Sequence, residues 1–128
     1  MKGFLLDTHT LLWMQDNHSS LSSNSIKILT DANQSLYVSI ASFWEIAIKQ
    51  SLGKLNLSYS LQELHEACVK SDIEILPILM SELDILKDLP FIHRDPFDRL
   101  IISTAISYNF VLISKDEQLK KYPLEVIW

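Results

Sequence analysis

Gly3-Phe4-Leu5-Leu6-Asp7 is an apolar run closed by a carboxylate. It has the length of a β-strand and no polar/apolar alternation, the pattern of a strand covered on both faces in a parallel sheet. The pattern returns at Phe110-Val111-Leu112-Ile113-Ser114, with Asp116 just beyond. Leu36-Tyr37-Val38-Ser39 and Ile73-Glu74-Ile75-Leu76 read as two more strands, the second stopped by Pro77. Leu124-Glu125-Val126-Ile127 reads as an edge strand.

Helical patterns fill the intervals. One covers 8–15, with Leu11, Leu12 and Met14 apolar. A second follows the cap-type residues Ser22-Ser23-Asn24 and runs to about Asn33, with Ile26, Leu29 and Ala32 spaced by threes. Ser39 caps a third that runs to about Leu52, where Gly53 stands in the C-terminal position. Residues 60–71 carry Leu61, Leu64, Ala67 and Cys68 on one face. A short helix is expected near 81–88. Asp95-Pro96 is an N-cap followed by proline at the first helical position, opening a helix to about Tyr108. Another short helix is expected near 116–121. Strands alternating with helices predict an α/β fold built on a parallel sheet.

The 128 residues suit one domain, able to bury a full core without staples. A single cysteine, Cys68, excludes an intrachain disulfide and a Cys-type zinc site. Two glycines, Gly3 and Gly53, exclude the glycine-rich signatures of P-loop NTPases and dinucleotide binders. The first apolar run is too short for a signal peptide, and no run approaches the roughly 18–20 residues of a membrane span. The expectation is a soluble, cytoplasmic protein. A net charge of −5 argues against a binder held to nucleic acid by a broad basic face, but leaves room for an acidic metal enzyme acting on it.

In an open α/β sheet, ligand sites lie beyond the carboxyl ends of the strands. Asp7 and Asp116 fall at two such ends. Ser39 falls at a third, with Glu45 about two turns into the following helix. Asp98 lies in the first turn of its helix, before Leu100-Ile101-Ile102. Carboxylates set in apolar sequence need partners, and four of them predict pairing through a cation.

Each acid also has a plainer reading. Asp7, Asp98 and Asp116 suit helix N-termini, and Asp95 is read first as a cap. Glu45 resists that reading, being mid-helix among Phe43, Trp44, Ile46, Ala47 and Ile48. Lys49 stands at i+4, either in a surface ion pair worth about 0.3–0.5 kcal/mol or neutralising the site and reaching a phosphate. Arg94 and Arg99 are the only arginines and flank Asp95 and Asp98, as phosphate-binding forks would. The four histidines show no ligand spacing and read as ordinary, with His9 the one to watch. Trp13, Phe43 and Trp44 read as core or interface, and Cys68 as a small core residue. Ser39, Ser42 and Ser114 have no local His and Asp to make them nucleophiles.

Four segments together carry a family resemblance. They are Leu5-Leu6-Asp7-Thr8-His9-Thr10-Leu11-Leu12-Trp13; Ser39 to Lys49 around Trp44-Glu45-Ile46; His93-Arg94-Asp95-Pro96-Phe97-Asp98-Arg99-Leu100-Ile101-Ile102; and Leu112-Ile113-Ser114-Lys115-Asp116. In this order the chain resembles PIN-domain ribonucleases, most of all the VapC-like toxins of bacterial toxin–antitoxin pairs. The resemblance implies one PIN-like domain over 1–128 and a three-layer α/β/α sandwich with a mainly parallel sheet. It implies Mg²⁺ or Mn²⁺ held by Asp7, Glu45, Asp98 and Asp116. It also implies an RNA substrate, a cognate antitoxin that blocks the active-site groove, and a homodimer. Lys49, Arg94 and Arg99 are candidate phosphate contacts, and Ser39, Ser114 and Asp95 are supporting positions. Many relatives carry Thr and Arg where this chain has Ser114 and Lys115, which makes Asp116 the last-ranked ligand, binding directly or through water. Two other classes compete with this reading. One is a haloacid-dehalogenase-type phosphatase, which needs a second Asp where His9 stands. The other is a catalytically inactive PIN-fold binding module.

Overall fold

The structure is a computed structural model describing residues 2–16 and 18–128. The first strand, β1 (Phe4–Leu6), shows the period-2 logic of a strand inside a sandwich. Leu5 and Leu6 have no exposed surface, and they point into opposite core clusters. β1 is the centre of a five-stranded sheet with β2 (Leu36–Ser39), β3 (Ile73–Leu76), β4 (Val111–Ile113) and β5 (Glu125–Ile127). The order is β3-β2-β1-β4-β5 and every pair is parallel. The chain builds outward from β1 to β2 and β3, then returns to lay β4 on its other edge. The order therefore reverses between β1 and β4, where α/β sheets open a ligand crevice.

The helices are α1 (Thr8–Asp16), α2 (Ser23–Leu29), α3 (Ile40–Ser51), α4 (Leu61–Lys70), α5 (Met80–Lys87) and α6 (Pro96–Tyr108). On one face, Leu11 and Leu12 of α1, Phe43 and Ile46 of α3, and Leu64 and Cys68 of α4 pack on Leu6 and Val38. On the other, Ile101, Ile102 and Ala105 of α6 pack on Leu5 and Leu112. The result is the three-layer α/β/α sandwich the resemblance implied. Among the described residues, no helix is long and apolar enough to cross a membrane.

Local chemistry sets the ends of the elements. Ser22, Ser39, Ser60 and Asp95 cap α2, α3, α4 and α6 through side-chain oxygens. Gly53, at φ +69°, stands just beyond α3 in the left-handed conformation that suits glycine. Gly3 is needed for space: a Cβ there would lie 2.6 Å from a Tyr37 ring atom and 2.8 Å from Phe110, two rings stacked at 4.4 Å.

Two elements differ from the sequence reading. α2 stops at Leu29, because the Asp31 carboxylate accepts from Asn33 N–H at 2.9 Å and turns the chain. Ala32 is consequently exposed rather than part of an apolar face. The segment after β4 is a 3₁₀ turn, Glu117–Lys121, rather than an α-helix, capped by Asp116 and leading into buried Tyr122.

Candidate active site

Asp7 follows β1 directly and is clamped to the end of β4. Its N–H donates to Ile113 O at 3.3 Å, and Thr10 Oγ1 donates to the same carbonyl at 2.9 Å. Asp7 Oδ1 accepts from Thr10 N–H at 2.8 Å, so the residue does cap α1 while standing at the switch in strand order. Burial pushes its carboxyl above the ordinary range, partly offset by hydrogen bonds from Ser114 and Thr10. Ser114 is buried, and its hydroxyl also accepts from Asp116 N–H at 3.2 Å.

Glu45 is 3% exposed, so the surface ion-pair reading does not hold for it. Its Oε1 accepts from Thr8 Oγ1 at 2.7 Å and its Oε2 from Lys49 Nζ at 2.5 Å. Thr8 Oγ1 also lies 3.0 Å from Ser42 Oγ, tying the start of α1 to α3. A buried carboxylate is thereby satisfied on both oxygens, as the cost of burying charge requires. Lys49 is half exposed, and the hydrogen bond to Glu45 raises its pKa and keeps it charged.

Asp98, half-buried in the first turn of α6, reports on the whole group. Burial lifts its carboxyl to about 6, and the charges of Asp95, Glu45 and Asp7 add to the rise, with His93 opposing. Asp7, Asp98, Ser114 and Asp116 line one small cavity of about 20 Å³, floored by Ile101, Ile102, Leu112 and Leu119. That is room for about one water-sized occupant. Glu45 is outside its wall and reaches the site by charge on Asp98 and by Thr8, the neighbour of Asp7. Among the described residues, no three His, Cys, Asp or Glu side chains form a ready-made metal cage.

The remaining sequence candidates separate by what they touch. Asp95 Oδ1 accepts from Phe97 and Asp98 N–H, the cap expected of it, and its charge bears on Asp98. Ser39 accepts from Ala41 N–H at 3.0 Å and starts α3, which carries Glu45. Arg99 departs from the phosphate-fork expectation, because its guanidinium is already engaged within the protein. It is 5% exposed, and its guanidinium donates to the carbonyls of Leu86, Leu89, Pro90 and His93 at 3.0–3.3 Å, with Phe91 stacked over it. Those carbonyls belong to the last turn of α5 and the loop that follows it toward α6, and they use the donors a phosphate would need. Arg94 is exposed and, among the described residues, makes no hydrogen bond or ion pair.

Three residues read as ordinary, or not singled out, are part of the site. Thr8 and Thr10 fix the carboxylates as described. The signal for them was a pair of hydroxyls, two apart, inside an apolar segment. His93 is the third: Nε2 lies 2.6 Å from Asp116 Oδ2 and Nδ1 lies 2.9 Å from Tyr122 Oη. No local spacing announced it, because its partners lie 23 and 29 residues away. Asp116 Oδ1 meanwhile accepts from Gln118 N–H at 2.9 Å.

Fold and site together define a class: parallel α/β proteins with an acidic cluster at the switch in strand order. The chain belongs to the PIN domain family, whose model matches residues 4–124. It is 28% identical over 127 residues to Ribonuclease VapC22 of Mycobacterium tuberculosis, covering 95% of this chain and 93% of that one. Among solved structures it is similar to VapBC2 of Rickettsia felis bound to a promoter DNA fragment (TM-score 0.72, 19% identity, 97% and 96% of the two chains). It is also similar to a toxin–antitoxin complex of Klebsiella pneumoniae (TM-score 0.66, 17% identity, 98% and 97%). At those identities the structures speak for the fold.

Proposed function

We propose that this chain, a single PIN domain over residues 1–128, is a divalent-metal-dependent endoribonuclease and the toxin of a toxin–antitoxin pair. The observation that carries the reading is the cavity at the strand-order switch, where Asp7, Asp98, Ser114 and Asp116 meet and Asp98 feels Asp95, Glu45 and Asp7. Family membership and the likeness to a protein named as a ribonuclease support it.

The donor set fits Mg²⁺ or Mn²⁺. Both prefer hard carboxylate oxygens, and Mg²⁺ is typically held by only one or two protein carboxylates plus water and substrate phosphate. Asp7 and Asp98 are the direct ligands in this reading, with Glu45 and Asp116 completing the shell, directly or through water. The missing ready-made cage is consistent with that count, since three protein carboxylates held together without a cation repel one another. A bound cation would supply Lewis acidity toward water and phosphate oxygen at neutral pH.

The chain's own groups do the rest. Thr8, Thr10 and Ser114 orient the carboxylates through buried hydroxyls. Lys49 holds Glu45 and, half exposed, presents its ammonium toward an incoming phosphate. It lines, with Thr8, His9, Trp13 and Asn56, a cavity of about 270 Å³ next to the acidic site. Arg94 is the exposed guanidinium left for RNA. A cytoplasmic location, a cognate antitoxin over this groove and a homodimer belong to the same proposal. Trp44 and Phe91, 53% and 80% exposed, offer apolar area for such contacts.

The test is cleavage of total RNA by purified protein with Mg²⁺, with EDTA, and by Asp98→Asn, with the 5′ ends of the products mapped. Metal-dependent cleavage that Asp98→Asn loses is expected. Full cleavage by folded Asp98→Asn refutes the site. Phosphate release from small phosphoesters without RNA cleavage would point to a phosphatase, and absence of Mn²⁺ binding to an inactive module.

A further inference from the structure

We infer that His93, itself held by Tyr122, is the positioning residue for Asp116, fixing that carboxylate on the wall of the acidic cavity. The inference rests on the reading of that cavity as a divalent-cation site.

Asp116 is the most exposed of the three cavity acids, its side chain 41% open to solvent, on the loop after β4. Alone beside Asp7 and Asp98, such a carboxylate would turn outward to water. Two contacts hold it: Gln118 N–H on Oδ1 and the His93 ring on Oδ2 at 2.6 Å. The second is a short hydrogen bond to a carboxylate, the kind strengthened by an ionised acceptor.

The ring is not free to choose another partner. Tyr122 Oη lies 2.9 Å from His93 N and 2.9 Å from His93 Nδ1. A backbone N–H only donates, so Oη accepts there and is free to give its own proton to Nδ1. Asp116 as a carboxylate only accepts, so the ring nitrogen facing it, Nε2, is the one that donates. Tyr122 is 4% exposed and packed in the core beneath α6. His93 O also accepts from Arg99 Nη1 at 3.3 Å, one residue from Asp98. A continuous path thus runs from α6, which carries Asp98, through His93 to Asp116. Its last member lines the cavity, so the path sets the separation of two acids that would share a cation. Partners of metal-binding carboxylates have this place in metal sites generally, and losing one costs about 10–100-fold in affinity or activity.

The experiment is Mn²⁺ calorimetry on the full chain, with RNA cleavage and thermal melts in parallel. The variants are His93→Leu, His93→Gln, Asp116→Asn, the double variant His93→Leu/Asp116→Asn, and Asp98→Asn as control. His93→Leu should weaken Mn²⁺ about 10–100-fold, and His93→Gln, which keeps an N–H donor, should recover most of that. In the Asp116→Asn background His93→Leu should cost nothing further, because its effect passes through Asp116. Mn²⁺ affinity of His93→Leu within about twofold of wild type overturns the inference, as does a fully additive loss in the double variant. If His93→Leu does not fold, Tyr122→Phe replaces it: weakening of about threefold or more supports the inference and any smaller effect overturns it. Wild-type Mn²⁺ binding by Asp98→Asn would instead show that the cation-site reading has failed, and the inference with it. Loss in Asp98→Asn without loss in His93→Leu removes the inference alone.

Discussion

Replacing Asp98 with asparagine should make the metal-free protein more stable while destroying its proposed activity. Burial, then the charges of Asp95, Glu45 and Asp7, lifts the Asp98 carboxyl from 3.8 to about 6. The folded chain thus holds this proton more tightly than the unfolded chain. In the window between those values the native state binds more protons, so stability falls as pH rises through it. Above about pH 6 the full cost is present; 1.36 kcal/mol per pKa unit sets a ceiling of about 3 kcal/mol, and solvent screening of this half-buried carboxyl brings it to about 1–2 kcal/mol. Asparagine keeps the shape and carries no charge. At pH 8 in EDTA, Asp98→Asn should therefore gain about 1–2 kcal/mol, or about 0.5–1 M in urea midpoint for an m-value near 2 kcal/mol/M. At pH 4 the gain should nearly vanish. Asp7, raised by burial in the same direction, leaves a residual pH dependence in both proteins. Added Mg²⁺ should narrow or reverse the difference, because only the intact site gains binding free energy. Urea denaturation at pH 4, 6 and 8, with EDTA and with Mg²⁺, measures all of this. Equal stability of the two proteins at pH 8 in EDTA, or a gain independent of pH, refutes the reasoning.

Arg99→Lys should lose about 2–4 kcal/mol in urea denaturation, because a lysine ammonium cannot span the four carbonyls the guanidinium holds. Its KM for RNA should stay at the wild-type value in the folded fraction, and a raised KM at unchanged stability would restore the phosphate-fork role. Asp95→Asn keeps a good N-cap, so stability should move by no more than about 0.5 kcal/mol. Its lost charge should lower the Asp98 pKa in a carboxyl-carbon NMR titration, and an unmoved Asp98 would refute that coupling. Gly3→Ala should cost about 1–3 kcal/mol in thermal or urea melts by forcing apart the Tyr37–Phe110 stack, and a neutral result would show that the rings yield freely.

Much of the architecture was written locally. Strands such as Leu5-Leu6 and Leu112-Ile113 are buried on both sides, so their sequence is apolar whatever follows. Asp95-Pro96 and Ser39 define helix starts because a cap is a contact within three residues. Local chemistry misleads where two local signals compete: the three-residue spacing after Ile26 carried a helix to about Asn33, and the Asp31 turn ended it at Leu29. The four carboxylates were also legible as exceptions in apolar sequence, and Glu45 proved the most buried of them. What each acid touches was not legible. The strand order β3-β2-β1-β4-β5 brings Asp7 against Ser114, and only then do Asp98 and Asp116 share a cavity. Two arginines beside two aspartates look alike in sequence, yet Arg99 folds inward onto the last turn of α5 and the loop that follows it while Arg94 stays exposed. His93 gains its role from an aspartate and a tyrosine more than twenty residues away. Elements follow from sequence because their hydrogen bonds and apolar periods close over a few residues. The site waits for tertiary structure because the fate of a polar side chain is set by which distant donors and acceptors packing brings within 3 Å of it.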